Sequence, residues 1–93
     1  MKRRAHIHTY GDVNGVSFRF LVKQKAQSLG LKGICKQNEE KEIIIDIEGN
    51  TKSLEEFLNY ILKGVSPVTK KNSFEIEFFE DIIGYTTLKT DIV

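Results

Sequence analysis

The densest chemistry in this chain lies in one stretch, Gly11-Asp12-Val13-Asn14-Gly15-Val16-Ser17-Phe18-Arg19. Two glycines frame a short loop there, and glycine lets a backbone come close to a ligand. The first amides of a helix have no partner inside the helix. Together with the positive helix end they favour a phosphate-sized anion. Arg19, about one turn into the helix that follows, can add a forked, permanently charged donor to the same anion. The same residues also suit a plain strand-to-helix turn with a solvated arginine. Taken alone, they leave both readings open.

The surrounding elements must set that loop in place. Ala5, Ile7 and Thr9 alternate with His6, His8 and Tyr10, as in a strand with one buried face. From Phe18 the apolar positions become Leu21, Val22, Ala26 and Leu29, a helical stripe that Gly30 closes as a C′ glycine. Leu31 to Gln37 reads as a second strand. Asn38 to Lys41 is turn-like, and Glu42 to Ile47 is a third strand, rich in β-branched residues and ended by Gly49-Asn50. So short a connection allows only an antiparallel hairpin. Ser53 and Glu56 have capping-box spacing. The helix they open should bury Leu54, Phe57, Leu58, Ile61 and Leu62 and stop by Gly64 and Pro67. Phe74, Ile76 and Phe78 alternate with Glu75 and Glu77 in a fourth strand, and Thr86 to Ile92 suits a short edge strand. The order predicts an α+β fold, a ferredoxin-like β-α-β-β-α-β sandwich with two helices on one face of an antiparallel sheet. Residues 1–93 make one domain, since domains most often run to roughly 100–150 residues.

With these elements in place, Gly11-x-Val13-x-Gly15-Val16-x-Phe18-Arg19 resembles the acylphosphatase signature G-x-V-Q-G-V-x-F-R, with Asn14 where Gln is usual. The similarity continues through Phe20, Ala26, Leu29-Gly30-Leu31-x-Gly33, Gly49 and Ser66-Pro67, nearly the whole chain. The resemblance implies hydrolysis of acyl phosphates to a carboxylate and inorganic phosphate, with no metal, no cofactor and no covalent intermediate. It implies that Arg19 and the amides of Asn14, Gly15, Val16, Ser17, Phe18 and Arg19 hold the phosphoryl group. It also implies an amide side chain on the second strand that positions the attacking water. The family has asparagine there, in a motif close to G-W-V-x-N, whereas this chain reads Gly33-Ile34-Cys35-Lys36-Gln37. Ungapped counting from Gly33 or from Gly49 puts Gln37 at that position. Gln is one methylene longer, and a misplacement of about 1 Å can cost on the order of a hundredfold in rate. Asn38 reaches the same face only through a bulge, because adjacent strand residues face opposite sides. The alternative is a weak or inactive phosphate or acyl-phosphate binding module of the same fold.

Other candidates read more plainly. His6 and His8 share a strand face but have no third ligand at matching spacing, so they are expected as ordinary polar residues of the open face. Ile44, Asp46 and Glu48 are expected on that face too. Nothing there has the basic-aromatic pattern of an RNA-binding sheet. Cys35 sits at an apolar position and reads as a buried small hydrophobe. Asp12 is expected in solvent, and Lys70-Lys71 in a solvated loop. Fourteen Lys and Arg against 13 Asp and Glu give a net charge of +1, which does not suit a general polyanion binder. The single cysteine excludes an internal disulfide and fits a cytoplasmic protein. No apolar run follows Lys2-Arg3-Arg4, and no stretch reaches the ~20 apolar residues of a membrane span. The expected partners are a small acyl phosphate or inorganic phosphate, with no nucleic acid and no membrane, and the chain is expected as a monomer.

Overall fold

The computed structural model describes residues 2–10, 15–40, 42–62 and 73–90. Its elements are β1 (Lys2–Tyr10), α1 (Gly15–Ser28), β2 (Lys32–Gln37), β3 (Ile43–Asn50), α2 (Thr51–Leu62), β4 (Ser73–Phe79) and β5 (Leu88–Thr90). The strands form one sheet in the order β4-β1-β3-β2-β5. All pairings are antiparallel except the short β2–β5 edge, which is parallel. This is the expected β-α-β-β-α-β order with one added edge strand.

The strand alternation sorts as the sequence requires. Ala5, Ile7 and Thr9 of β1 are fully buried, as are Ile43, Ile45 and Ile47 of β3. Against them lie Val22 and Ala26 of α1, with Leu54, Phe57, Leu58 and Ile61 of α2. The Leu62 side chain lies outside the described residues. A side chain such as Phe57 or Ile61 contributes about 1.5–3 kcal/mol when taken fully from water. Cys35 faces the same core and is fully buried, as expected of a small hydrophobe. Gly30 closes α1 with φ +73°. Gly33 has φ +152°, and any side chain there would run into the Asp46 carbonyl of β3, so the β2–β3 approach depends on that glycine.

Two expectations need correction. The second helix starts at Thr51, and its cap is Asn50, whose side-chain oxygen accepts the Lys52 amide at 2.9 Å. Ser53 therefore lies inside the helix, and β3 runs on through Gly49 to Asn50. The second correction concerns the sheet face opposite the helices. Asp46 and Glu48 are only 4% and 5% exposed, because the chain from Asp81 to Thr87 crosses that face on its way to β5. Glu48 accepts the amides of Ile83, Gly84 and Tyr85 at 2.8, 2.9 and 2.9 Å. Asp46 receives the Arg4 guanidinium at 2.8 Å and the Tyr85 hydroxyl at 2.7 Å, and lies 3.2 Å from His6 Nδ1. Alternation places these carboxylates away from the helices, and the crossing strap then buries them.

Candidate active site

The strand register shows which end of the sheet carries the candidate site. Gln37, the last residue of β2, pairs with Ile43, the first residue of β3. On the other side of β3, the Thr9 hydroxyl accepts the Ile43 amide and donates to the Ile43 carbonyl, both at 3.2 Å. Thr9, Ile43 and Gln37 thus form one row across three strands. One residue beyond Thr9, β1 ends, and α1 begins at Gly15. The start of α1 and the end of β2 therefore lie at the same end of the sheet.

At that end α1 opens with Gly15, Val16, Ser17 and Phe18, whose backbone forms its first turn, with no acidic residue there to compete for an anion. Helix geometry leaves the leading amides of this turn without intrahelical acceptors. Asn14 lies outside the described residues, as do Gly11, Asp12, Val13 and the Lys70-Lys71 pair. Arg19 is 6% exposed. It stands three residues before Val22 and seven before Ala26, at the leading end of the stripe that α1 turns toward the sheet. The sequence allowed a solvated arginine here; the fold buries it. A buried guanidinium is costly unless partners satisfy it, so its position is a specific feature of this helix.

Gln37 has the parity of Gly33 and Cys35, so its side chain stands on the face of β2 that α1 covers. Lys36 has the opposite parity and is exposed. The pairing runs from Lys32–Glu48 to Gln37–Ile43 without a break, so no bulge shifts the end of β2. Asn38 is committed elsewhere. Its side-chain oxygen accepts the amides of Glu40 and Glu42, both at 2.9 Å, and its side-chain nitrogen donates to Glu42 Oε1 at 3.3 Å. This is the local turn chemistry at which asparagine excels. Arg19 and Gln37 are thus brought to one side and one end of the sheet, and Asn38 is held in the hairpin.

The structure also shows a contact that sequence reasoning passed over. His8 Nε2 lies 2.8 Å from Glu42 Oε1, which ties β1 to the same hairpin. The bond from His8, and then the one from Asn38, hold the Glu42 carboxyl below its ordinary 4.5. The available signal was Asn38 at the head of a short turn, a position that favours a side chain bonded to nearby amides. His6 and His8 lie partly exposed on the sheet face away from the helices, each engaged with a separate carboxylate, Asp46 and Glu42. Among the described residues no group of three or more His, Cys, Asp or Glu is placed to hold a metal ion. No helix among them is long and apolar enough to cross a membrane.

Comparison with known proteins follows this geometry. A family model described as Acylphosphatase matches residues 5–87. An acylphosphatase of Staphylococcus haemolyticus is 31% identical over 75 residues, covering 81% of this chain and 83% of that relative. One from Thermotoga maritima is 38% identical over 58 residues, 62% of this chain and 64% of the relative. In fold, the crystal structure of acylphosphatase from Bacillus subtilis superposes with a TM-score of 0.81 at 22% identity, covering 98% of this chain and 99% of that one. With a family model over most of its length and a fold to match, the chain belongs to the acylphosphatase family.

Proposed function

We propose that this protein hydrolyses acyl phosphates, with the first turn of α1 and Arg19 as the phosphate cradle and Gln37 as the group that positions the attacking water. In this reading the water oxygen forms a new bond to phosphorus as the bond from phosphorus to the acyl oxygen breaks. The departing electron pair leaves on the carboxylate, and the water proton passes to the phosphate. Charge spreads over the equatorial oxygens during transfer, so fixed donors and an in-line water supply most of the acceleration. A carboxylate leaves readily, and the reaction needs no strong general base. The loop residue Asn14 would complete the cradle.

One observation carries the assignment to Gln37. The end of β2 holds an unbroken register, and the rival carboxamide of Asn38 is occupied by two hairpin amides. Gln37 is then the amide on the α1 side, one methylene longer than the family's asparagine. Hydrolysis of benzoyl phosphate by the wild type should be measurable, and Gln37→Asn should raise kcat by roughly tenfold to a hundredfold with little change in KM. An unchanged rate in Gln37→Asn, together with its loss in Asn38→Ala, would transfer the role to Asn38. Absence of turnover in both wild type and Gln37→Asn, with phosphate still bound through Arg19, would favour the binding-module reading.

A further inference from the structure

Two separate contacts hold the β2–β3 hairpin just beyond Gln37. On the helix-covered side, the Thr9 hydroxyl grips both backbone groups of Ile43. On the opposite side, Glu42 Oε1 meets His8 Nε2 from β1 and the Asn38 side-chain nitrogen from the turn. The Asn38 amide also donates to the Glu42 carbonyl at 2.8 Å, closing the hairpin at the residue next to Gln37. Strand residues alternate faces, so a slip of one residue here would exchange Gln37 for Asn38 on the side toward α1. The contacts at Glu42 oppose that slip.

We propose that Glu42 is a positioning residue for hydrolysis: through His8 and Asn38 it fixes the β2–β3 turn and thereby the place of Gln37. This inference rests on the water-positioning role given to Gln37 above. Among the described residues Glu42 bonds to His8 and Asn38. Its effect is on where a neighbouring amide stands, which should appear in the transition state and not in ground-state phosphate binding.

The test compares Glu42→Ala and Glu42→Gln with the wild type, using benzoyl phosphate as substrate and inorganic phosphate as competitive inhibitor. Glu42→Ala should lower kcat by roughly tenfold to a hundredfold, with KM and phosphate inhibition changed by less than about twofold. Glu42→Gln keeps an oxygen for Asn38 and for a neutral His8, and should recover most of the rate. Amide hydrogen exchange at Glu40 and at position 42 should speed up by about tenfold in the alanine variant while Ile45 and Ile47 stay protected. A wild-type kcat in Glu42→Ala overturns the proposal, as does a loss confined to KM, or a Gln variant as impaired as the Ala variant. Unchanged exchange at Glu40 and at position 42 overturns it as well. A wild type without turnover removes the proposed function and this inference together, whereas an active wild type with an indifferent Glu42→Ala removes this inference alone.

Discussion

Replacing Glu48 by Gln tests whether the strap from Asp81 to Thr87 is pinned to the sheet by one buried carboxylate. Oε1 of Glu48 takes the Ile83 amide and Oε2 takes those of Gly84 and Tyr85. Glutamine can keep one oxygen, which serves at best two of these donors, and its NH₂ group then faces the third. That part-buried donor loses its acceptor and meets another donor, a cost of about 1 kcal/mol or more, toward the lower end of the range for a buried group. The two surviving bonds lose their charge assistance, and charged hydrogen bonds are roughly twice as strong as neutral ones. The sum is on the order of 2–4 kcal/mol, against a total of about 5–14 kcal/mol for a domain of this size. Urea unfolding with a fixed m-value should show it as a lower midpoint, and Tm should fall by roughly 10–20 °C. Exchange of the amides of Ile83, Gly84 and Tyr85 should rise in parallel. A loss below about 1 kcal/mol, within the range of an ordinary surface change, would refute the pinning argument.

Tyr85 is a second anchor of the strap: burial first, and then its bond to Asp46, push its hydroxyl up from 10.0 to about 12. The neutral phenol is the form that the fold favours, so its contribution is complete below pH 10.0 and is lost as pH rises toward about 12. Ultraviolet titration should show a late-ionising component that disappears in Tyr85→Phe, and an unchanged curve would deny the contact. Gly33→Ala should destabilise the chain by more than about 2 kcal/mol, since the added methyl meets the β3 backbone at a φ that side chains rarely adopt. Thermal unfolding indistinguishable from the wild type would show that β2 and β3 can part at no cost.

The sequence made the elements legible where one local pattern governed them. Ala5, Ile7 and Thr9 alternate, the stripe through Val22 and Ala26 repeats at helical spacing, and Gly30 ends the helix with a left-handed φ. Ser53 and Glu56 misled because their spacing fits a capping box, while Asn50, already at the end of β3, captures the helix start three residues earlier. Asp46 and Glu48 alternate with isoleucines and so read as solvent-facing. Their burial depends on a strap more than thirty residues away in sequence, which no local pattern reports. At the candidate site, Arg19 and Gln37 stood out by motif and by counting. The fold added the burial of Arg19, where α1 packs on the sheet, and the His8–Glu42 contact, which needs β1 beside the hairpin, while the commitment of Asn38 is local to its turn.

In the proposed function, this chain releases phosphate from an acyl phosphate through a cradle built on Arg19. Phosphate release from benzoyl phosphate by wild type and Arg19→Ala, matched in concentration and checked for native circular dichroism, measures it most directly. Saturable hydrolysis by the wild type is expected, with a loss of about a hundredfold to a thousandfold in Arg19→Ala and only partial recovery in Arg19→Lys, because lysine lacks the planar fork. A folded Arg19→Ala that hydrolyses benzoyl phosphate at the wild-type rate would contradict that role.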